Sequence, residues 1–282
     1  MIDSSLPIGV FDSGVGGLTV AREILRNLPN EKIIYFGDTA RVPYGNKSAE
    51  TIIRYSKQIA KFLLSKNVKA ITIACNTASA LALDAVRAEL DIPIIGVVEP
   101  GAHAATRESK NNHIGVIGTK GTVSSGLYGK YITGLNPDAQ VFQQACPLFV
   151  NLVEEGMIDD PVTIQMIHRY LDDMICRNDI DTLILGCTHY PLLLSVIARE
   201  LNGHRAGQDC ASSGISLVNP AYETALALKK MLADNKLLSS RTDTVKPEEH
   251  LYFVSDDTSN FRRFAEDVLE IEAPNVELKV LE

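Results

Sequence analysis

Residues 71–79, ITIACNTAS, and residues 183–191, LILGCTHYP, are built alike. Each opens with an apolar and β-branched run of the length of one buried strand, passes through a single cysteine, and continues into hydroxyl-bearing residues suited to starting a helix. Around the first copy, strand-length runs recur at PIGVF (7–11), KIIYF (32–36), KAITIA (69–74) and PIIGVV (93–98). Stretches with helical spacing at 19–27, 49–65 and 78–90 separate them. A second series, HIGVIG (113–118), AQVFQQ (139–144) and DTLILG (181–186), alternates with helices expected over 122–134, 161–177 and 190–201. After GHRAGQDCASSG (203–214) come a helix expected over 219–233, a charged loop, and two late strands, HLYFVS (250–255) and VELKVL (276–281). Strands alternating with helices make parallel sheets covered on both faces. The reading is an α/β chain of two similar doubly wound parallel-sheet domains, 1–97 completed by 208–282, and 98–207. The active site is expected in the cleft between them, because ligands of open parallel sheets bind beyond the carboxyl ends of the strands.

The 282 residues include 45% hydrophobic and 22% charged side chains, with a formal charge of −8. Against about 150 residues per domain, that is an ordinary globular protein able to bury two cores. No run of Lys and Arg could lie along a polyanion, so nucleic acid is not expected as a partner and small molecules are. The start, MIDSSLPIGVF, lacks the basic and apolar regions of a secretory signal, and no long stretch is continuously apolar. No membrane association is therefore expected, and a cytoplasmic location is.

Five cysteines, Cys75, Cys146, Cys176, Cys187 and Cys210, include no CxxC pair. Free thiols are expected, and a structural zinc site, which needs closely spaced ligands, is disfavoured. Only Cys75 and Cys187 stand at a strand end before a helix, where free backbone N–H groups favour the thiolate. Asn76 and Thr77 are placed to cap the helix after Cys75; Thr188 and His189 follow Cys187, and Pro191 suits a first helical turn. Asp12 and Ser13 end the strand PIGVF and lead into GVGG. As a phosphate cradle that pattern lacks the Lys-Ser/Thr pair of a P-loop and the last glycine of the dinucleotide fingerprint, and Asp12 would repel a phosphate. Helix capping is the plain alternative for Asp12. One buried cysteine is ordinarily a small apolar residue; the same setting twice points to a paired function. Four chemistries are open to two such thiols: disulfide exchange, a metal held by Cys75, Cys187 and His189, nucleophilic catalysis with His189 activating a thiol, and two-base proton transfer.

Ordered blocks then carry a resemblance: IGVFDSGVGGLTV (8–20), YFGDTARVPYG (35–45), ACNTAS (74–79), GVVEPGA (96–102), GVIGTKGTV (115–123), ACPLFV (145–150) with LVEEG (152–156), and LGCTHYPLL (185–193). From residue 8 to about 194 the chain resembles the glutamate racemases of the cofactor-independent aspartate/glutamate racemase superfamily. The resemblance implies interconversion of L- and D-glutamate without pyridoxal phosphate or metal, D-glutamate supply to peptidoglycan synthesis, and a homodimer. It implies Cys75 and Cys187 as the two acid/base residues, serving the D-to-L and L-to-D directions respectively. Asp12 and Glu154 would tune the thiols and His189 would assist Cys187. Substrate contacts carry over to Asp12, Ser13, Tyr44, Gly45, Asn76, Thr77, Thr188 and His189, with Thr119 and Thr122 as secondary positions.

Cys146, Cys176 and Cys210 have no strand-end setting, so packing is expected for each, and structural or surface roles for His103, His113, His168, His204 and His250. Glu154 and Glu155 fall on what reads as a helix start, where a solvated face would explain both. Asn151 stands where the resemblance expects proline, which bears on the placement of Glu154. Two rival readings remain: a sister racemase acting on aspartate or hydantoin, against which Cys-Thr-His rather than Cys-Thr-Glu counts by resemblance, and a non-catalytic dicarboxylate-binding protein, which has no need of two thiols.

Overall fold

The computed structural model describes residues 2–204, 214–270 and 275–281, the side chains of 202–204 excepted. The chain runs β1 (Ile8–Asp12), α1 (Leu18–Asn27), β2 (Ile33–Gly37), α2 (Ala49–Ser65), β3 (Ala70–Ile73), α3 (Asn76–Arg87) and β4 (Ile94–Gly96). It continues through α4 (Val98–Glu108), β5 (His113–Gly118), α5 (Lys120–Ser125), α6 (Leu127–Leu135), β6 (Gln140–Ala145), α7 (Leu148–Glu154), α8 (Pro161–Asn178), β7 (Thr182–Gly186), α9 (Leu194–His204) and β8 (Ser216–Val218). It closes with α10 (Pro220–Asp234), β9 (Leu251–Val254), α11 (Thr258–Leu269) and β10 (Val276–Leu278).

Two compact units result: Met1–Val97 with Ala221–Glu282, and Val98–Pro220. The first holds a sheet of order β10-β9-β2-β1-β3-β4 and the second a sheet of order β6-β5-β7-β8, with every described pairing parallel. Residues 208–220 were expected in the first domain, but Ser216–Val218 pairs with β7, so the described part of that stretch belongs to the second unit.

The central strands β1, β2, β3 and β7 are buried along their whole length, as strands covered by helices on both faces must be. In the first unit, Phe11, Phe36, Ile52, Ile59, Leu63, Ile71, Ile73, Ala78 and Ala82 form one apolar cluster that also takes in Cys75 and Tyr44. Local signals place the helices. Ser48 caps α2 by accepting from the Thr51 N–H, and Asp160 caps α8 by accepting from Val162 with Pro161 at its first position. Beneath β3 a buried ion pair joins Lys69 Nζ to Glu31 Oε2 at 2.5 Å; the same ammonium donates to the Ser4 carbonyl, and Glu31 Oε1 accepts from the Ser239 N–H. A pair this deep holds because all its polar atoms face partners.

The four-strand stretches around each cysteine share one winding. In the first unit the chain goes from β1 to β2 on one side and returns to β3 on the other; in the second it goes from β5 to β6 and returns to β7. The direction of winding therefore reverses between β1 and β3 and between β5 and β7. At such a point the loops beyond the strands separate and leave a crevice.

Several expectations need correction. The helix expected over 122–134 is two helices meeting at Gly126, whose φ of +64° sets it in the left-handed region with no atom near its missing side chain. The helix expected from 190 opens as a 3₁₀ turn over Tyr190–Leu193 before α9. Helices α4 and α11 and strand β8 fall in stretches whose patterning predicts no element, and α7 ends where the pattern predicts a helix to start. Of the cysteines, Cys75, Cys146 and Cys187 are free and Cys176 is disulfide-bonded, against the expectation of five free thiols; Cys210 lies outside the described residues. Among the described residues no helix is long and apolar enough to cross a membrane.

Glycine at the strand ends is a packing requirement. A Cβ on Gly186 would meet the Ile117 carbonyl oxygen at 2.6 Å, whereas one on Gly134 of α6 would meet nothing. Gly186→Ala is expected to lower the unfolding free energy by about 1–3 kcal/mol. Gly134→Ala is expected to raise it by about 0.5 kcal/mol through helix propensity. Urea denaturation of both variants checks the contrast.

Candidate active site

In the first unit the crevice between β1 and β3 collects Asp12 and Ser13 from one strand end and Cys75, Asn76 and Thr77 from the other. Cys75 itself, not Asn76 or Thr77, is the N-cap of α3: its backbone is extended and its Sγ accepts from the Ala78 N–H at 3.5 Å. Asn76 and Thr77 are the first two helical residues, both buried. Sulfur in the cap position faces the free N–H groups of the first turn, which favour a negative charge there. Ser13 Oγ lies 3.5 Å from the same sulfur. Helix capping, the plain alternative for Asp12, is not what it does, since Gly17 is the N-cap of α1; Asp12 Oδ2 instead accepts from the Gly14 N–H at 2.9 Å. A Cβ on Gly17 would approach Asp12 Cβ to 2.4 Å, so the glycine lets the helix start close over the buried aspartate.

Tyr44 and Gly45 sit in a short 3₁₀ turn that packs against α3. Tyr44 is buried, and its hydroxyl donates to Asp38 Oδ2. Burial pushes the phenol far above its ordinary range, and the neighbouring Asp38 and, more weakly, Cys75 push in the same direction. Tyr35 is raised likewise by burial and then by Asp12 and Cys75, and its hydroxyl donates to the Gly14 carbonyl.

In the second unit the crevice between β5 and β7 places Thr119 next to Cys187, Thr188 and His189. Thr119 caps α5, with its Oγ1 accepting from the Thr122 N–H at 3.2 Å and lying 3.1 Å from Thr122 Oγ1. His189 bridges two groups: Nδ1 lies 3.8 Å from Cys187 Sγ and Nε2 lies 2.8 Å from Glu154 Oε1. Burial disfavours the imidazolium, but the bonds to Cys187 and Glu154 outweigh it and raise the histidine to about 10. Glu154 is at the end of α7, not at a helix start. There it pairs with the buried His189. Asn151, in place of proline, is an ordinary residue of that helix and does not disturb the bridge.

The remaining cysteines and histidines have packing or structural settings. Cys146 is buried and held well above the usual thiol range by burial and then by the nearby Cys187. His250 is buried, lowered to about 4 by desolvation, and accepts from the Ile33 N–H through Nδ1, a structural role. His113 and His168 bond to Asn178 and to Asp172 and Glu200, His103 is exposed, and the His204 side chain lies outside the described ones. Among the described residues no group of three or more His, Cys, Asp or Glu could hold a metal ion. Pattern reading did not single out Tyr35, Asp38, Ser255, or Tyr128 and Tyr190, two buried phenols raised by burial and then by Cys187. Asp38 had a signal, since it follows β2 as Asp12 ends β1; the tyrosines read as core, and Ser255 lies far away in the chain.

Residues 8–223 match the model of the Asp/Glu/hydantoin racemase family. With this fold and paired strand-end thiols, the protein is an isomerase of the racemase class. A glutamate racemase of Geobacter metallireducens is 48% identical over 256 residues, 91% of this chain and 90% of the relative. Among solved structures, glutamate racemase isoform RacE1 of Bacillus anthracis superposes with a TM-score of 0.89 at 40% identity over 98% of both chains. The Francisella tularensis glutamate racemase, solved with D-glutamate, gives 0.87 at 38% over 99% of both. The chain belongs to the Asp/Glu/hydantoin racemase family.

Because the folded-state pKa of His189 lies above its unfolded value of 6.5, its charge contributes stability fully below about 6.5, and that contribution is lost as pH rises through about 10. Glu154→Gln removes one supporting charge. NMR titration of the imidazole is expected to show its pKa fall below that of the wild type, with a smaller loss of stability across that window.

Proposed function

We propose that this protein interconverts L- and D-glutamate by two-base proton transfer at the α-carbon, with Cys75 and Cys187 as the two bases. The observation that carries the reading is the duplicated setting of a nearly buried free thiol, 5% exposed in one unit and 6% in the other, at the reversal point of each sheet. The relatives named glutamate racemase, one of them solved with D-glutamate, support the choice of substrate.

In each turnover one cysteine enters as thiolate and the other as thiol. The thiolate takes the α-hydrogen as a proton, leaving the electron pair on the α-carbon and its carboxylate; the thiol delivers a proton to the opposite face. The two sulfurs finish with exchanged protonation states, ready for the reverse reaction. Cys75 takes the hydrogen from D-glutamate and Cys187 from L-glutamate. Near Cys75, the Ala78 N–H stabilises the thiolate, the Ser13 hydroxyl, which accepts from the thiol, turns to donate once the proton has left, and Asp12 tunes the cysteine; near Cys187, the His189 imidazolium stabilises the thiolate, held by Glu154. Ser13, Tyr44, Gly45, Asn76, Thr77, Thr188 and His189, with Thr119 and Thr122, orient the substrate, and backbone N–H groups at the helix starts offset the charge developing on its α-carboxylate. The reading includes no pyridoxal phosphate or metal. It places the enzyme in a bacterial cytoplasm, supplying D-glutamate to peptidoglycan synthesis.

The test is a proton NMR time course of the reduced protein with L-glutamate in D2O and no added cofactor, alongside polarimetry. The α-hydrogen signal is expected to vanish as rotation decays to zero. Cys75→Ala and Cys187→Ala are each expected to slow racemisation by about 10²–10⁴-fold. An unchanged glutamate signal, with exchange of aspartate, would replace the substrate by that of a sister racemase; no exchange with either would leave a binding protein.

A further inference from the structure

The turn that carries Tyr44 and Gly45 is held by a buried carboxylate. Asp38 is fully buried just past β2, and most of its partners are local: Arg41 Nε donates to Oδ1 and Oδ2 at 2.9 and 2.7 Å, and the Tyr44 hydroxyl donates to Oδ2. Local bonds fold the segment onto itself but do not fix where it sits on the sheet. The partner from outside is Ser255, which donates from Oγ to Asp38 Oδ1 at 2.9 Å and accepts from the Ala40 N–H at 2.9 Å with the same atom. The neighbouring residue repeats the link: Thr39 Oγ1 donates to the Asp256 carbonyl at 2.6 Å and accepts from the Asp256 N–H at 2.8 Å.

Ser255 reaches this place through sheet register. Strand β9 pairs with β2 so that Val254 stands beside Gly37, and the Ser255 N–H donates to the Gly37 carbonyl. The serine is therefore carried to the carboxyl end of β2 by a strand more than two hundred residues further along the chain. One buried hydroxyl there satisfies an acceptor of the carboxylate and a backbone donor of the turn. Removing it leaves the buried carboxylate oxygen short of a partner and deprives the Ala40 N–H, at the surface of the turn, of its acceptor.

We infer that Ser255 is a positioning residue for the reaction: through Asp38 it sets the 39–46 turn against α3, so that the C-terminal segment shapes substrate binding beside Cys75 without touching substrate. This rests on the proposed contact of Tyr44 and Gly45 with glutamate. Ser255→Ala in the full chain is expected to raise KM for glutamate about tenfold while kcat changes less than about threefold, since the thiols keep their setting. Amide hydrogen exchange at Ala40 is expected to quicken by about tenfold, and Ser255→Thr, which keeps the hydroxyl, to restore both toward wild type. Should Ser255→Ala fail to fold, Thr39→Val removes the adjoining anchor and is read in the same two ways. Wild-type KM together with wild-type exchange at Ala40 overturns the inference, as does a fall in kcat at constant KM. If the wild type leaves glutamate untouched, the functional reading fails by itself, and unchanged exchange at Ala40 in the variant then separately overturns the anchoring role.

Discussion

In a parallel sheet covered by helices, the carboxyl end of every strand and the amino end of the following helix fall on one side. That constraint delivers unpaired backbone N–H groups to the place where the loops open, and the rest of the site grows from it. Cys75 exploits it directly, because its sulfur occupies the position normally held by a serine, asparagine or aspartate oxygen. A residue that ordinarily packs as a small apolar group thereby becomes the acceptor at a helix start. It still closes the apolar cluster formed by α2, α3 and the strands beneath.

The two strand-end thiols have unlike partners. Around Cys75 the partners are neutral, an amide that donates to the sulfur and a hydroxyl that accepts from the thiol, with a buried aspartate beneath the loop. Around Cys187 the partner is an imidazole whose charge depends on a carboxylate at a helix end. Neither that amide nor that hydroxyl changes charge over the range in which proteins ordinarily work. The setting of Cys187 keeps its cation only because Glu154 and Cys187 together overcome the cost of burial. Similar sheets with the same winding thus hold chemically unlike surroundings.

Much of this was legible in the sequence because parallel strands buried on both faces read as continuous apolar runs, and because the Cys-hydroxyl pattern occurs twice. The strand positions and both thiols follow from that. What escaped depends on contacts between residues distant in the chain, or on backbone conformations that side-chain pattern does not report. Ser216–Val218 is too short to show periodicity and is a strand only because β7 offers it an edge. Gly126 interrupts a helical pattern that remains apolar on both sides. Glu154 read as a helix start because α7 is only seven residues long and its two ends are hard to tell apart by composition. Ser255 gave no local signal, since its importance lies in the register of β9 against β2.

That register also orders events in time. The second unit is a continuous stretch of chain, Val98–Pro220, whereas the first is interrupted by it and resumes only at Ala221. On the ribosome, β1 to β4 emerge carrying Cys75 and Tyr44, and the second sheet follows before β9 exists to pair with β2. Until then Asp38 lacks its outside donor and β2 is an open edge, a surface prone to wrong pairing. The nascent chain carries both thiols long before it has the means to hold the turn beside one of them, so competence arrives with the last strands.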